Sequence, residues 1–135
     1  MNIDELRVVV RARDFDASCT FYGDVMALPK VRSWQSDTGR GALFQAGSGL
    51  IEVVGRPQTS GRPERDESFD YQGPEHKMTL TILTASAEKA YEDMIFREKN
   101  IPGGLKELPD GTTAFETSDP DGVKILLREP YTRLT

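Results

Sequence analysis

The order strand, helix, strand, strand, strand is written twice along this chain, and that duplication limits the possible folds more than any other feature. In residues 5–12, ELRVVVRA, the alternation of a strand places Leu6, Val8 and Val10 on one face. Arg7, Val9 and Arg11 take the other. Asp14 or Asp16 can then cap a helix running to about residue 26. Phe15, Cys19, Tyr22 and Met26 recur along it at helical spacing, with Phe21 and Val25 beside them. PKVRSWQS reads as extended, and GALFQA and LIEVVG as antiparallel strands joined by a Gly-Ser-Gly turn. In the second half KMTLTIL reads as a strand with Met78, Leu80 and Ile82 on one face. Ser86 can cap a helix through about residue 99, with an apolar stripe of Ala87, Ala90, Tyr91, Met94 and Ile95. LKELPD, TTAFET and DGVKILLRE complete the set. Equivalent elements lie roughly 70 residues apart, with little residue identity between the halves.

The closing strand carries one anomaly. Pro120 presets φ and Asp121-Gly122 supplies a turn that tolerates positive φ. Val123, Ile125 and Leu127 then face the core, while Lys124, Leu126 and Arg128 face away. A leucine between two cations on an otherwise polar face calls for an explanation. Between the halves, residues 56–76 form a long loop rich in Pro, Gly and charge, with Phe69 and Tyr71 inside it. Loops of that length are usually functional or linkers.

Composition narrows the function. A chain of 135 residues with 37% hydrophobic content suits one soluble domain. The net charge of −5 argues against nucleic acid, which requires a basic surface, and fits a neutral or cationic small ligand better. No apolar run is long enough to span a membrane, and MNIDELRVVV lacks the basic start of a secretion signal, so the expected location is cytoplasmic. The lone Cys19 permits no internal disulfide and no thiolate zinc cluster, and reads as a small core hydrophobe rather than a nucleophile. A single histidine, His76, supports no Ser-His-Asp triad. AGSGL joins two strands rather than opening a helix, so it is no phosphate loop.

RARDFDASCTFYGDVMALPKV, GALFQAGSGLIEVV and SDPDGVKILLRE, in that order around a duplicated topology, resemble the vicinal-oxygen-chelate superfamily of glyoxalase I, bleomycin-resistance proteins and extradiol dioxygenases. Asp14, Ser18 and the pair Phe21-Tyr22 look like the family's first helix, and DPDG like the turn before its last strand. Ala27 departs from the pattern, where the family usually has glycine. The resemblance covers nearly the whole chain. It implies an α+β fold of two tandem βαβββ modules, with curved mixed sheets around an open cup. Module one would span about residues 1–55, the linker about 56–75 and module two about 76–135, in a single domain 1–135.

Metal-using members place one ligand on the first and last strand of each module. Those positions fall on Arg7, Glu52, Lys77 (with His76 adjacent and Thr79 as an alternative) and Leu126. Arg7 and Lys77 carry positive charge and Leu126 has no donor, so only Glu52 matches, and neither a metal nor a cofactor is expected. A salt bridge from Glu52 to Arg7, or to Lys77, would compensate its charge; alternatively Arg7 or Glu52 orients a polar ligand. Arg7, Val9, Glu52, Lys77, Thr79 and Leu126 would line the cup, and Trp34, Phe44, Phe69, Tyr71 and Phe115 supply aromatic surface, with Phe44 and Phe115 also readable as core. Two readings follow. The first is a metal-free protein of the bleomycin-resistance type, homodimeric, that sequesters an apolar or aromatic compound such as an antibiotic. The second is a glyoxalase-like lyase or isomerase using Glu52 as base, or as a metal ligand with His76.

Overall fold

In the computed structural model, residues 1–2, 4–57, 79–97 and 99–130 are described. The chain divides into two compact units, Met1–Gln72 and Gly73–Thr135. The first contains strand β1 (Arg7–Arg11), helix α1 (Phe15–Thr20) continued by a π-helical turn (Phe21–Val25), and strands β2 (Lys30–Ser36), β3 (Gly39–Ala46) and β4 (Gly49–Gly55). The second contains β5 (Leu80–Leu83), α2 (Ala87–Phe96), β6 (Lys106–Glu107), β7 (Thr113–Ser118) and β8 (Lys124–Arg128). The two four-stranded sheets have the same layout, β1-β4-β3-β2 and β5-β8-β7-β6. In each the first strand runs parallel to the last, and every other pair is antiparallel. The α+β duplication expected from the sequence is therefore present.

Both helices start where a short polar side chain meets an orphan N–H. Asp14 Oδ1 accepts from the Ala17 amide at 3.0 Å, and Ser86 Oγ accepts from the Lys89 amide at 3.1 Å. A second carboxylate reinforces α2: Glu129 accepts from the amides of Ala87 (3.3 Å) and Thr113 (3.2 Å), joining the end of β8 to the helix and to β7. Each helix covers one face of its own sheet. Phe44 and Tyr22 are fully buried in the first unit, with ring centroids 6.3 Å apart, and Phe115 meets Tyr91 edge-on in the second. Arg40 is buried on the same side of β3 as Phe44, its guanidinium 4.6 Å over the Phe15 ring and its Nε donating to the Arg56 carbonyl.

Three sequence expectations need correction. Leu6 precedes β1 and is 73% exposed, so the buried alternation begins only at Val8 and Val10. Ile95 lies at the edge of the α2 stripe, 43% exposed, while Ala87 and Met94 are buried. The second-half strand is Leu80–Leu83, with Thr79 outside it, while Lys77 and Met78 lie outside the described residues.

Ala27 closes the π-helical turn with φ of 57°, a left-handed conformation in which Cβ crowds the following carbonyl. The Leu28 amide donates to the Tyr22 carbonyl across this bend (3.0 Å), so the geometry is held by the chain around it. Glycine adopts such a φ without the crowding but loses more backbone entropy on folding. Ala27→Gly is expected to stabilise the protein by about 0.5–1 kcal/mol net. Thermal unfolding would show it as a rise of a few degrees; an unchanged or lowered Tm would contradict it.

Below β6, Asp110 Oδ1 accepts from the Thr112 hydroxyl (2.6 Å) and amide (3.1 Å), and its other oxygen takes a hydrogen bond from Arg128. The Thr112 hydroxyl, then Arg128, hold the carboxyl at about 2, against an ordinary 3.8. The folded protein therefore binds this proton less readily than the unfolded chain. The contribution to stability is complete above about pH 4 and is lost as pH falls through about 2. Asp110→Asn should flatten the fall in urea midpoint between those pH values; an identical slope in the variant would remove Asp110 from the acid transition.

Candidate functional site

Because antiparallel and parallel partners lie on one face, strand register gives the composition of the face turned away from α1. One row across the sheet is Arg11, Val54, Gly41 and Trp34. The next is Val9, Glu52, Leu43 and Arg32. Arg7 and Leu50 start a third with Gln45. Adjacent rows are about 7 Å apart along the strands.

Trp34 dominates this surface. A Cβ added to Gly41 would stand 2.0 Å from Cζ2 of the Trp34 indole and 2.4 Å from Cε2. The six-membered ring thus occupies the space a side chain would need, and only glycine lets the indole lie across β3. Trp34 is half-buried there, beside buried Leu43 and half-buried Val54. The result is a flat aromatic surface set against an apolar floor.

In the neighbouring rows the Arg7 guanidinium donates to Glu5 (Nε, 2.9 Å) and to Glu52 (Nη1, 3.2 Å). Those hydrogen bonds, to Glu5 first, hold it above its ordinary pKa. Glu52 is 15% exposed and Arg7 37%, so the pair compensates a carboxylate that is mostly removed from water. Glu5, two residues before Arg7, is a third member that strand counting did not single out. Beyond Val9 (51% exposed), Arg11 and Arg32 are exposed, and neither guanidinium makes an ion pair or hydrogen bond among the described residues.

The corresponding face of the second unit carries Leu126, half-buried, with Thr81 beside it on β5 and Glu116 on β7. Arg128, two residues on, is occupied by Asp110 and Thr112. Register also corrects the third position of the implied metal set. Val9 pairs with Glu52 as Thr81 pairs with Leu126, so the residue equivalent to Arg7 is Thr79. Helix caps agree: Asp14 follows Arg7 by the same interval as Ser86 follows Thr79. The four equivalent positions are therefore Arg7, Glu52, Thr79 and Leu126. By residue type, an ion-paired arginine, a threonine, a leucine and a single carboxylate do not make a divalent-metal donor set. Among the described residues, no three of His, Cys, Asp or Glu come together to hold a metal. Lys77, His76, Phe69 and Tyr71 lie outside the described residues.

Phe44 and Phe115 are corrected as site residues. Phe44 pairs with Ile51, Phe115 with Leu127, and both are fully buried on the helix side. An aromatic ring with no exposed surface cannot stack on a ligand. Arg7, Val9, Glu52 and Trp34, by contrast, share the far face of the first sheet. Sequence reading set Arg11 on the same strand face as Arg7 and Val9 but did not place Gly41, Leu43 or Arg32 with them. Counting outward from Asp37-Thr38 as a two-residue hairpin turn, with Ser36 opposite Gly39, would have paired Trp34 with Gly41. Cys19 is half-buried, and burial pushes its thiol to about 11, so it stays protonated and unreactive at neutral pH.

The fold has many relatives among solved structures. The protein SMU.1112c superposes with a TM-score of 0.74 at 17% identity, over 96% of this chain and 99% of that one. The lactoylglutathione lyase of Agrobacterium tumefaciens gives 0.66 at 19% identity, over 95% and 94%. The trypanothione-dependent glyoxalase I of Leishmania major gives 0.62 at 21% identity, over 95% and 87%. No curated protein matches in sequence. The model of the Glyoxalase/Bleomycin resistance protein/Dioxygenase superfamily matches residues 6–127, and with both βαβββ units in place this chain belongs to that superfamily.

Proposed function

We propose that the protein binds a small aromatic compound on the far face of its first sheet, with no metal taking part, and that planar antibiotics are within its range. The observation carrying this reading is the Trp34 indole lying across Gly41, beside Leu43 and Val54. A flat, partly exposed ring over an apolar floor gains dispersion and hydrophobic contact from any planar partner. The neighbouring Arg7–Glu52 pair gives that floor a polar edge. The Arg7, Glu52, Thr79 and Leu126 set supports binding over metal-assisted turnover. Two of the solved relatives are named as a glyoxalase or lyase, so a lyase is the reading to be tested against it.

Trp34 is the only tryptophan in the chain, so its emission reports on this face alone. Titration with a panel of planar antibiotics and simple aromatics should give saturable quenching, together with a rise in Tm. Gly41→Ala, which displaces the indole, should weaken binding about tenfold, as loss of one stacking contact of ~1.4 kcal/mol would. No quenching and no thermal shift across the panel would remove the reading. Turnover of the methylglyoxal–glutathione adduct, abolished by Glu52→Gln, would replace it with the lyase.

A further inference from the structure

The whole chain carries −5, yet the charge on the far face of the first sheet has the opposite sign. Resting on the binding site just proposed, we infer that its ligand is a planar aromatic anion, most simply an aromatic carboxylate. The argument begins with what is already neutralised. Arg7 is shared between Glu5 and Glu52, so that cluster offers an incoming anion no uncommitted cation. Arg11 and Arg32 remain. Both are exposed on this face, and neither guanidinium has an ion-pair partner among the described residues.

Their positions in the register matter more than their number. Arg11 lies in the same cross-strand row as Trp34, at the opposite edge of the sheet, with Val54 and Gly41 between them. Four strands spaced about 4.8 Å put the two edges about 14 Å apart, and the indole spans the last interval by leaning over Gly41. Val54 therefore lies in the row between the indole over Gly41 and the strand that carries Arg11. Arg32 stands two residues from Trp34 on β2, in the next row. A ring seated against the indole thus has a cation on two sides. The planar, forked guanidinium suits a carboxylate, and over an apolar floor its attraction is less screened than in bulk water. A cationic ligand, which the net charge alone would favour, would meet both arginines before reaching Glu52.

Three nitroaromatic probes of one shape, 4-nitrobenzoate, 4-nitrobenzamide and 4-nitrobenzylammonium, separate the possibilities through quenching of Trp34. The anion should bind about tenfold more tightly than the ammonium at low ionic strength, and its advantage should shrink in 0.5 M salt, where the screening length falls to roughly 4 Å. Arg11→Gln and Arg32→Gln should each weaken the benzoate about three- to fivefold and leave the benzamide unchanged, with Tm values matching the parent protein. Equal binding of all three probes, or preference for the ammonium, overturns the anion specificity and leaves the aromatic site standing. Failure of all three to quench Trp34 overturns both.

Discussion

Phe44→Ala is expected to cost about 3–5 kcal/mol of folding stability, the largest effect of any single change considered for this protein. Phe44 is fully buried, its ring faces Tyr22, and an added Cβ on Gly23 would stand 3.0 Å from its Cε1. Removing the ring empties the space between the π-helical turn and β3. Two neighbours cannot close it: Gly23 has no side chain, and Tyr22 is fixed edge-on against Phe21. Much of the cavity should persist, which places the cost in the upper half of the range. Domains of this size are stable by only about 5–15 kcal/mol, so the variant should unfold at markedly lower urea and approach marginal stability at 37 °C. Equilibrium urea unfolding measures it. A loss under about 1 kcal/mol would mean that the ring faces away from α1 after all.

Asp119→Ala is expected to cost about 2–4 kcal/mol, through hydrogen bonds rather than volume. Asp119 is buried, and its Oδ1 accepts from the amides of Asp121 and Val123, both at 2.8 Å. The backbone of the same residue closes the turn, its amide donating to the Val123 carbonyl and its carbonyl accepting from the Gly122 amide. Alanine leaves two amides without their acceptor in a place largely closed to water. Gly122, at φ of 86°, depends on those bonds for its bend, and β8 takes its register from that bend. Asp119→Asn keeps an acceptor oxygen and should lose less than half as much. Thermal unfolding of both variants tests the pair. Equal loss in the two would show that charge matters rather than acceptance, and no loss in either would remove the turn from the list of features that hold the fold.

Those two residues show unequal legibility in the sequence. The turn around Asp119 was readable because DPDG fixes turn chemistry within four positions, although the acceptor role of the Asp119 side chain was not. The duplicated βαβββ order was readable for the same reason, since strand alternation, helical spacing and the caps Asp14 and Ser86 are local signals. Phe44 was ambiguous. It sits between Leu43 and Gln45 in GALFQA, and a one-residue slip exchanges the two faces of a strand. The register with Ile51, packed under Tyr22, settled it. Likewise the third metal-equivalent position moved from Lys77 to Thr79 only when parallel pairing was known.

Sequence by itself determined the class of fold, the family resemblance and the shortage of metal donors. Each depends on residue identity or on short-range periodicity. Tertiary structure decided which residues share a surface. Trp34 and Gly41 are joined through the turn between β2 and β3, Arg11 and Val54 through a crossover of some forty residues, and Val54 and Gly41 through the next hairpin. A face of a sheet is the sum of such long-range pairings, and no local pattern encodes a row that four strands contribute to.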